Sequence, residues 1–143
     1  MTESNEKRLG DIGEKIVAHL TNSILSENYW DSEKDMTGRE DKKKKEVKTQ
    51  VRHVSRGEMT VNENQEEKCT KRCDDLYFVE YDNTDLIYVY LCEDRHNFSR
   101  FTTSKGEKRI GWKIDKMKVI KVIRNADLAK KMRSLSKSTI IQK

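Results

Sequence analysis

The sequence predicts an α/β fold, and three patterns carry the prediction. Leu9, Ile12, Ile16, Val17 and Leu20 recur at helical spacing near the N-terminus. Two β-rich runs, residues 76–81 and 86–92, bracket the polar turn Asp82-Asn83-Thr84-Asp85. Leu128, Met132 and Leu135 then share one stripe of a second helix.

Taken in order, the first helix is expected over residues 6–25, with Ser4 or Asn5 as its N-cap. A polar passage over 26–34 leads to Asp35-Met36-Thr37 and a turn-like Gly38-Arg39-Glu40-Asp41. The basic run Lys42, Lys43, Lys44 and Lys45 enters Glu46-Val47-Lys48-Thr49-Gln50-Val51, so residues 35–51 read as a hairpin. Residues 62–71 are polar and read as helical. In the central hairpin, Tyr81 is paired with Leu86. Residues 98–102 form a short strand, 110–123 are strand-like in apolar content, and 126–136 form the last helix behind an Asn125 or Asp127 cap. The closing STIIQK either frays or docks onto a partner.

At 143 residues, with 34% hydrophobic and 38% charged, the chain is expected to form one domain over 1–143 with little apolar material to spare. No run approaches the roughly 18 apolar residues of a membrane-spanning helix, and the polar MTESNEKRLG lacks a signal-peptide core. A soluble, cytoplasmic protein is the expectation, with no membrane partner. Net charge is +5, but from residue 105 onward thirteen Lys and Arg face three acids, a net of +10, while residues 1–104 carry −5. A basic portion over 105–143 suits a polyanion, because each Lys or Arg set against a phosphate releases condensed counterions.

Strand geometry gives the stretch around Glu46 its chemistry. Glu46, Lys48 and Gln50 fall on one face, Val47, Thr49 and Val51 on the other. Pairing with residues 35–37 brings Asp35 close to Glu46, and converging carboxylates repel unless a cation lies between them. Mg²⁺ suits such a place, since it takes a few hard oxygens together with waters and phosphate oxygens. Lys48 is placed to orient water and offset charge on a phosphate. Glu-x-Lys is a cheap triplet in this composition and recurs as Glu40-Asp41-Lys42 and Glu66-Glu67-Lys68, but only Glu46-Val47-Lys48 has an apolar centre for a core.

The order of a helix carrying Gly10-Asp11-Ile12-Gly13-Glu14, then Asp35, then Glu46-Val47-Lys48 resembles the PD-(D/E)XK nuclease superfamily. Its small Holliday-junction resolvases and phage or transposon-associated endonucleases are similar in length and element order. The resemblance covers about the first half of the chain. It implies a restriction-endonuclease-like central mixed sheet flanked by helices, and a Mg²⁺- or Mn²⁺-dependent endonuclease acting on DNA in preference to RNA. It further implies that Asp35, Glu46 and the Val47 backbone carbonyl are metal ligands, Lys48 is the catalytic lysine, and Glu14 is an outer ligand. Asp31 competes with Asp35, and no proline precedes Asp35. Glu14 equally suits a surface role on the shoulder of the helix, and His19 lies on the opposite shoulder.

Lys42, Lys43, Lys44, Lys45, Gln50, Arg52, Lys105, Lys108, Arg109 and Lys113 are the expected nucleic-acid contacts, and a second copy of the chain is a potential partner. Cys69, Cys73, Cys92 and His96 flank the central hairpin and form a candidate structural zinc set; the bland alternative is three buried thiols. A non-catalytic nucleic-acid-binding or transcription-associated module is the rival to the nuclease, and an interaction domain for an acidic protein is a third reading. Metal-dependent cleavage separates the first from the other two.

Overall fold

Ser4 opens the first helix: its hydroxyl accepts from the Lys7 amide at 3.1 Å, so α1 runs Asn5–Thr21. The computed structural model describes residues 4–26, 35–52 and 57–136. α1 ends earlier than its apolar periodicity suggests, because Asn22 turns left-handed at φ 50° and its amide caps Ala18 O. The chain can then leave as a strand. β1 is Ser23–Leu25, followed by β2 (Met36–Gly38), β3 (Lys44–Val51), β4 (Glu58–Asn62), α2 (Glu66–Thr70), β5 (Asp75–Tyr81), β6 (Leu86–Cys92), β7 (Ser99–Thr102), β8 (Lys108–Lys113), β9 (Lys118–Arg124) and α3 (Ala126–Leu135). Asp31 and the STIIQK end lie outside the described residues.

Two sheets result. A six-stranded mixed sheet has the order β1-β2-β3-β5-β6-β9, and a three-stranded sheet has the order β4-β8-β7. Every pairing in the large sheet is antiparallel except β3 with β5. β5 is the central strand, covered on both faces, which is why Asp75–Tyr81 is apolar almost throughout instead of alternating. On one face, Val47, Tyr77, Val79, Ile87 and Val89 pack against Val17 of α1 and Ala129 and Met132 of α3. On the other, Leu76, Phe78, Tyr90 and Cys92 pack against Met59 and Val61 of β4, Cys69 of α2, and Ile110 and Trp112 of β8. The α/β expectation, with a mixed sheet flanked by helices, is met.

Three local expectations change. Residues 110–123 are not one strand: a 3-10 turn at Ile114–Lys116 breaks the run and sends β8 into the small sheet and β9 to the edge of the large one. Tyr81 faces Ile87, not Leu86. Asp82 accepts from both the Thr84 amide and hydroxyl, at 2.8 and 2.6 Å, and this turn passes Leu86 on to Arg124 of β9. β4 is a strand that the expected element order does not contain, although Met59 and Val61 alternate inward along it.

Gly13 sets the distance between α1 and β3. A Cβ there would overlap the Thr49 hydroxyl, so only glycine lets the helix lie this close to the strand. Gly13→Ala is therefore expected to destabilise the protein by about 1–2 kcal/mol despite alanine's better helix propensity. Urea denaturation checks this, and Thr49→Ala in the same chain should restore most of the loss.

Candidate active site

The geometry of β2 and β3 builds this region first. Only Met36 and Thr37 of β2 pair with β3, opposite Lys45 and Lys44, so among the described residues the β2-side edge of β3 has no strand partner beyond Lys45. Asp35 takes over there. Its amide donates to Lys45 O at 3.0 Å, and its Oδ2 accepts from the Val47 amide at 2.8 Å. One carboxylate oxygen is thus fastened to the strand, and Oδ1 faces inward toward Lys68, 3.9 Å from its Nζ.

Glu46 follows from strand alternation: with Val47 committed to the helix-covered core, Glu46 must point to the other face. That face is not open. The α2 region and the small sheet cover it, leaving Glu46 0% exposed. Its Oε2 forms ion pairs with Lys48 Nζ at 3.2 Å and Lys68 Nζ at 3.6 Å, while Oε1 has no hydrogen-bond partner. Lys48 Nζ also donates to Gln65 Oε1 at 2.7 Å. Two ammonium groups flank one buried carboxylate.

Glu14 belongs to the same electrostatic cluster. Burial pushes its carboxyl up to about 7, and the neighbouring Asp35 and Asp11 carboxylates add to this against Lys68 and Lys7. Burial likewise raises Glu46 to about 7, with Asp35 reinforcing and Lys48 and Lys68 opposing. Lys68 shows the reciprocal effect: burial lowers it, but the Glu46, Asp35 and Glu14 carboxylates outweigh burial and raise it. Glu14, Asp35, Glu46, Lys48 and Lys68 therefore form one coupled group drawn from α1, the approach to β2, β3 and α2.

A pH dependence of stability follows. Folded-state values near 7 against the ordinary 4.5 mean that the folded protein holds protons the unfolded chain releases. This contribution is complete below pH 4.5 and is lost as pH rises through about 7. In EDTA the urea midpoint is expected to fall from pH 5.5 to pH 8, and Glu46→Gln should flatten that fall.

Lys68 and Gln65 escape a sequence reading. Lys68 ends the Glu66-Glu67-Lys68 triplet, which has no strand logic, and it acts from a helix packed across β3. The only signal is the polar, helical character of residues 62–71. Among the described residues, no group of three or more His, Cys, Asp or Glu side chains is gathered to hold a metal ion. Neither Cys69, Cys73, Cys92 and His96 nor Glu14, Asp35 and Glu46 form such a group. Cys69, Cys73 and Cys92 are buried in the second core, burial holds each thiol near 12, and Cys73 Sγ donates to Cys69 O at 3.2 Å, while His96 is exposed.

Several expected nucleic-acid contacts are occupied elsewhere. Lys45 is buried and bound to Asp41 and the Ser23 hydroxyl, because odd-numbered positions of β3 face the helix side. Gln50 pins β4 to β3, accepting from the Thr60 amide and donating to the Thr60 carbonyl. Arg52 pairs with Glu80 and Asp82 and lies over the Tyr88 ring. Arg109 donates to the Thr60 hydroxyl and carbonyl. Lys42, Lys43, Lys44, Lys105, Lys108 and Lys113 are exposed, as is His19. What the structure shows of Val47 is its side chain in the core and its amide on Asp35. Among the described residues no helix is long and apolar enough to cross a membrane. Comparison with protein-family models and with curated proteins finds no match for the chain.

Proposed function

We propose that this chain is a metal-dependent endonuclease that hydrolyses phosphodiester bonds in DNA. The observation that carries the reading is Glu46: a fully buried carboxylate with one oxygen unpartnered, beside a second carboxylate and two ammonium groups. A buried acid is costly to keep charged, so its retention in a core position points to chemistry more than to packing. Asp35 and Glu46 fit a hard divalent ion, since Mg²⁺ needs only one or two carboxylates beside waters and substrate phosphate. Glu14 would act from outside that pair. When bound, the ion would supply a Lewis acid and a water of lowered pKa.

The chain's own residues do the rest. The Val47 amide fixes the orientation of Asp35, and Gln65 holds the Lys48 ammonium beside Glu46, where it can orient the attacking water and offset charge growing on the phosphate. Incubation with plasmid, linear, branched and single-stranded substrates in Mg²⁺, Mn²⁺ and EDTA tests the reading. Cleavage confined to the metal-containing reactions supports it. Salt-sensitive binding without cleavage in any of them favours a non-catalytic nucleic-acid-binding module, a reading that the lysine-neutralised Glu46 also suits.

Lys105, Lys108 and Lys113 are exposed on or beside β8, outside the internal bonds that hold Arg109. Phosphate contacts position a duplex without reading it. Neutralising the three together is expected to weaken DNA binding about equally on unrelated sequences. The slope of log affinity against log salt should fall by about 0.9 for each duplex phosphate that is no longer neutralised. Unchanged affinity and slope would move the track to Lys42, Lys43 and Lys44.

A further inference from the structure

The two lysines beside Glu46 are not equivalent. Lys48 is fixed: it stands 3.2 Å from Glu46 Oε2 and its ammonium is bound to Gln65 at 2.7 Å. Lys68 is held more loosely, at 3.6 Å from Glu46 Oε2 and 3.9 Å from Asp35 Oδ1. Both distances exceed a charge-assisted hydrogen bond, and the side chain keeps 26% of its surface in solvent. It reaches the carboxylates on a flexible stem from α2, an element anchored by Cys69 in the second core and by the 2.7 Å pair of Glu66 with Arg100. An ammonium between two carboxylates occupies the place where a bridging cation would neutralise them.

We propose that Lys68 is a resident counter-cation of the Asp35–Glu46 pair: it holds the pair together without metal, and it swings out toward solvent when a divalent ion binds. This rests on the metal-dependent reading above and adds to it a competition between the protein's own cation and the metal. Charge makes the exchange reasonable. Glu14, Asp35 and Glu46 face two ammonium groups, and repulsion between Lys68 and an incoming ion must be relieved before the ion can reach both carboxylates. The displaced ammonium, still tethered at the site, becomes available to a substrate phosphate, so nucleic acid and metal favour the same swung-out position. Metal and nucleic acid should then each tighten the binding of the other.

Binding of Mn²⁺ to the full chain without nucleic acid, followed by electron paramagnetic resonance, tests the exchange. Lys68→Met is expected to tighten Mn²⁺ binding by about tenfold or more, because the competing charge is gone and the carboxylates stay. Lys68→Arg should not tighten it, and adding Glu46→Gln to Lys68→Met should abolish the gain. In the wild-type protein, the Lys68 ammonium resonance should shift as Mg²⁺ saturates the site, a readout that needs no variant. Equal, measurable affinity in wild type and Lys68→Met would overturn the exchange and leave the nuclease reading standing. No binding in any form would overturn both. Tightened binding in Lys68→Met from a wild-type protein that cuts no nucleic acid would support the exchange and sink the nuclease.

Discussion

Glu46→Gln is expected to lower the metal-dependent cleavage rate by about 10³-fold or more while leaving the protein folded. Glutamine keeps the shape of a side chain that is 0% exposed but removes the charge a divalent ion needs. Because burial pushes the Glu46 carboxyl up to about 7, ionising it at pH 8 costs stability that the uncharged amide does not, and the variant should be about as stable as the parent there. The combination of lost activity with kept stability is what distinguishes a functional carboxylate from a structural one. Asp35→Asn and Lys48→Met should show similar losses in rate. Asp31→Ala is the control and should be milder; if it is the more damaging change, the metal-binding aspartate is Asp31. A Glu46→Gln protein that cuts normally removes this site from consideration.

Arg52→Ala is expected to destabilise the protein by about 3 kcal/mol, the lower end of the range for breaking a buried ion pair. Glu80 is 0% exposed, and its Oε1 accepts from Arg52 at 2.9 Å and from the Tyr90 hydroxyl at 2.7 Å. Its Oε2 has no hydrogen-bond partner. Without the guanidinium, the carboxylate keeps only the tyrosine and must either stay charged in the core or take a proton. Arg52 is partly exposed, which lets water soften the loss and sets the magnitude at the low end. The urea midpoint reads the effect, and Arg52→Met with Glu80→Gln should recover much of it. DNA affinity and its salt slope in the folded Arg52→Ala protein should stay near the parent's; a fall comparable to that of the surface-lysine variant would mean that Arg52 also contacts phosphate.

Arg52, together with Lys45, also marks where sequence reasoning reaches its limit. Both read as basic residues next to a catalytic strand, and in a linear sequence nothing separates a lysine bound for solvent from one that is itself buried against an aspartate. Strand parity decides it. Lys45 shares the helix-covered face with Val47, while Arg52 lies just past the end of β3 and reaches Glu80 of β5, which only the sheet order brings near. Long-range partners of this kind depend on which strands are neighbours, and local pattern does not encode that.

Local pattern did determine a good deal. Helical spacing fixed α1 and α3, and the Asn125 side chain caps α3 by accepting from the Leu128 amide at 3.0 Å, one of the two caps the sequence offered. Alternation in β3 determined that Glu46 and Lys48 share a face, and the turn at residues 38–41 determined that Asp35 would meet Glu46. These are consequences of backbone periods acting over a few residues. Tertiary structure alone decided that the Glu46 face is covered, that the run 110–123 is divided between two sheets, and that Lys68 enters the site. The physical reason is the same in each case. Burial and ion pairing depend on residues brought together across the fold, and a short polar helix reveals its partner only once it has packed.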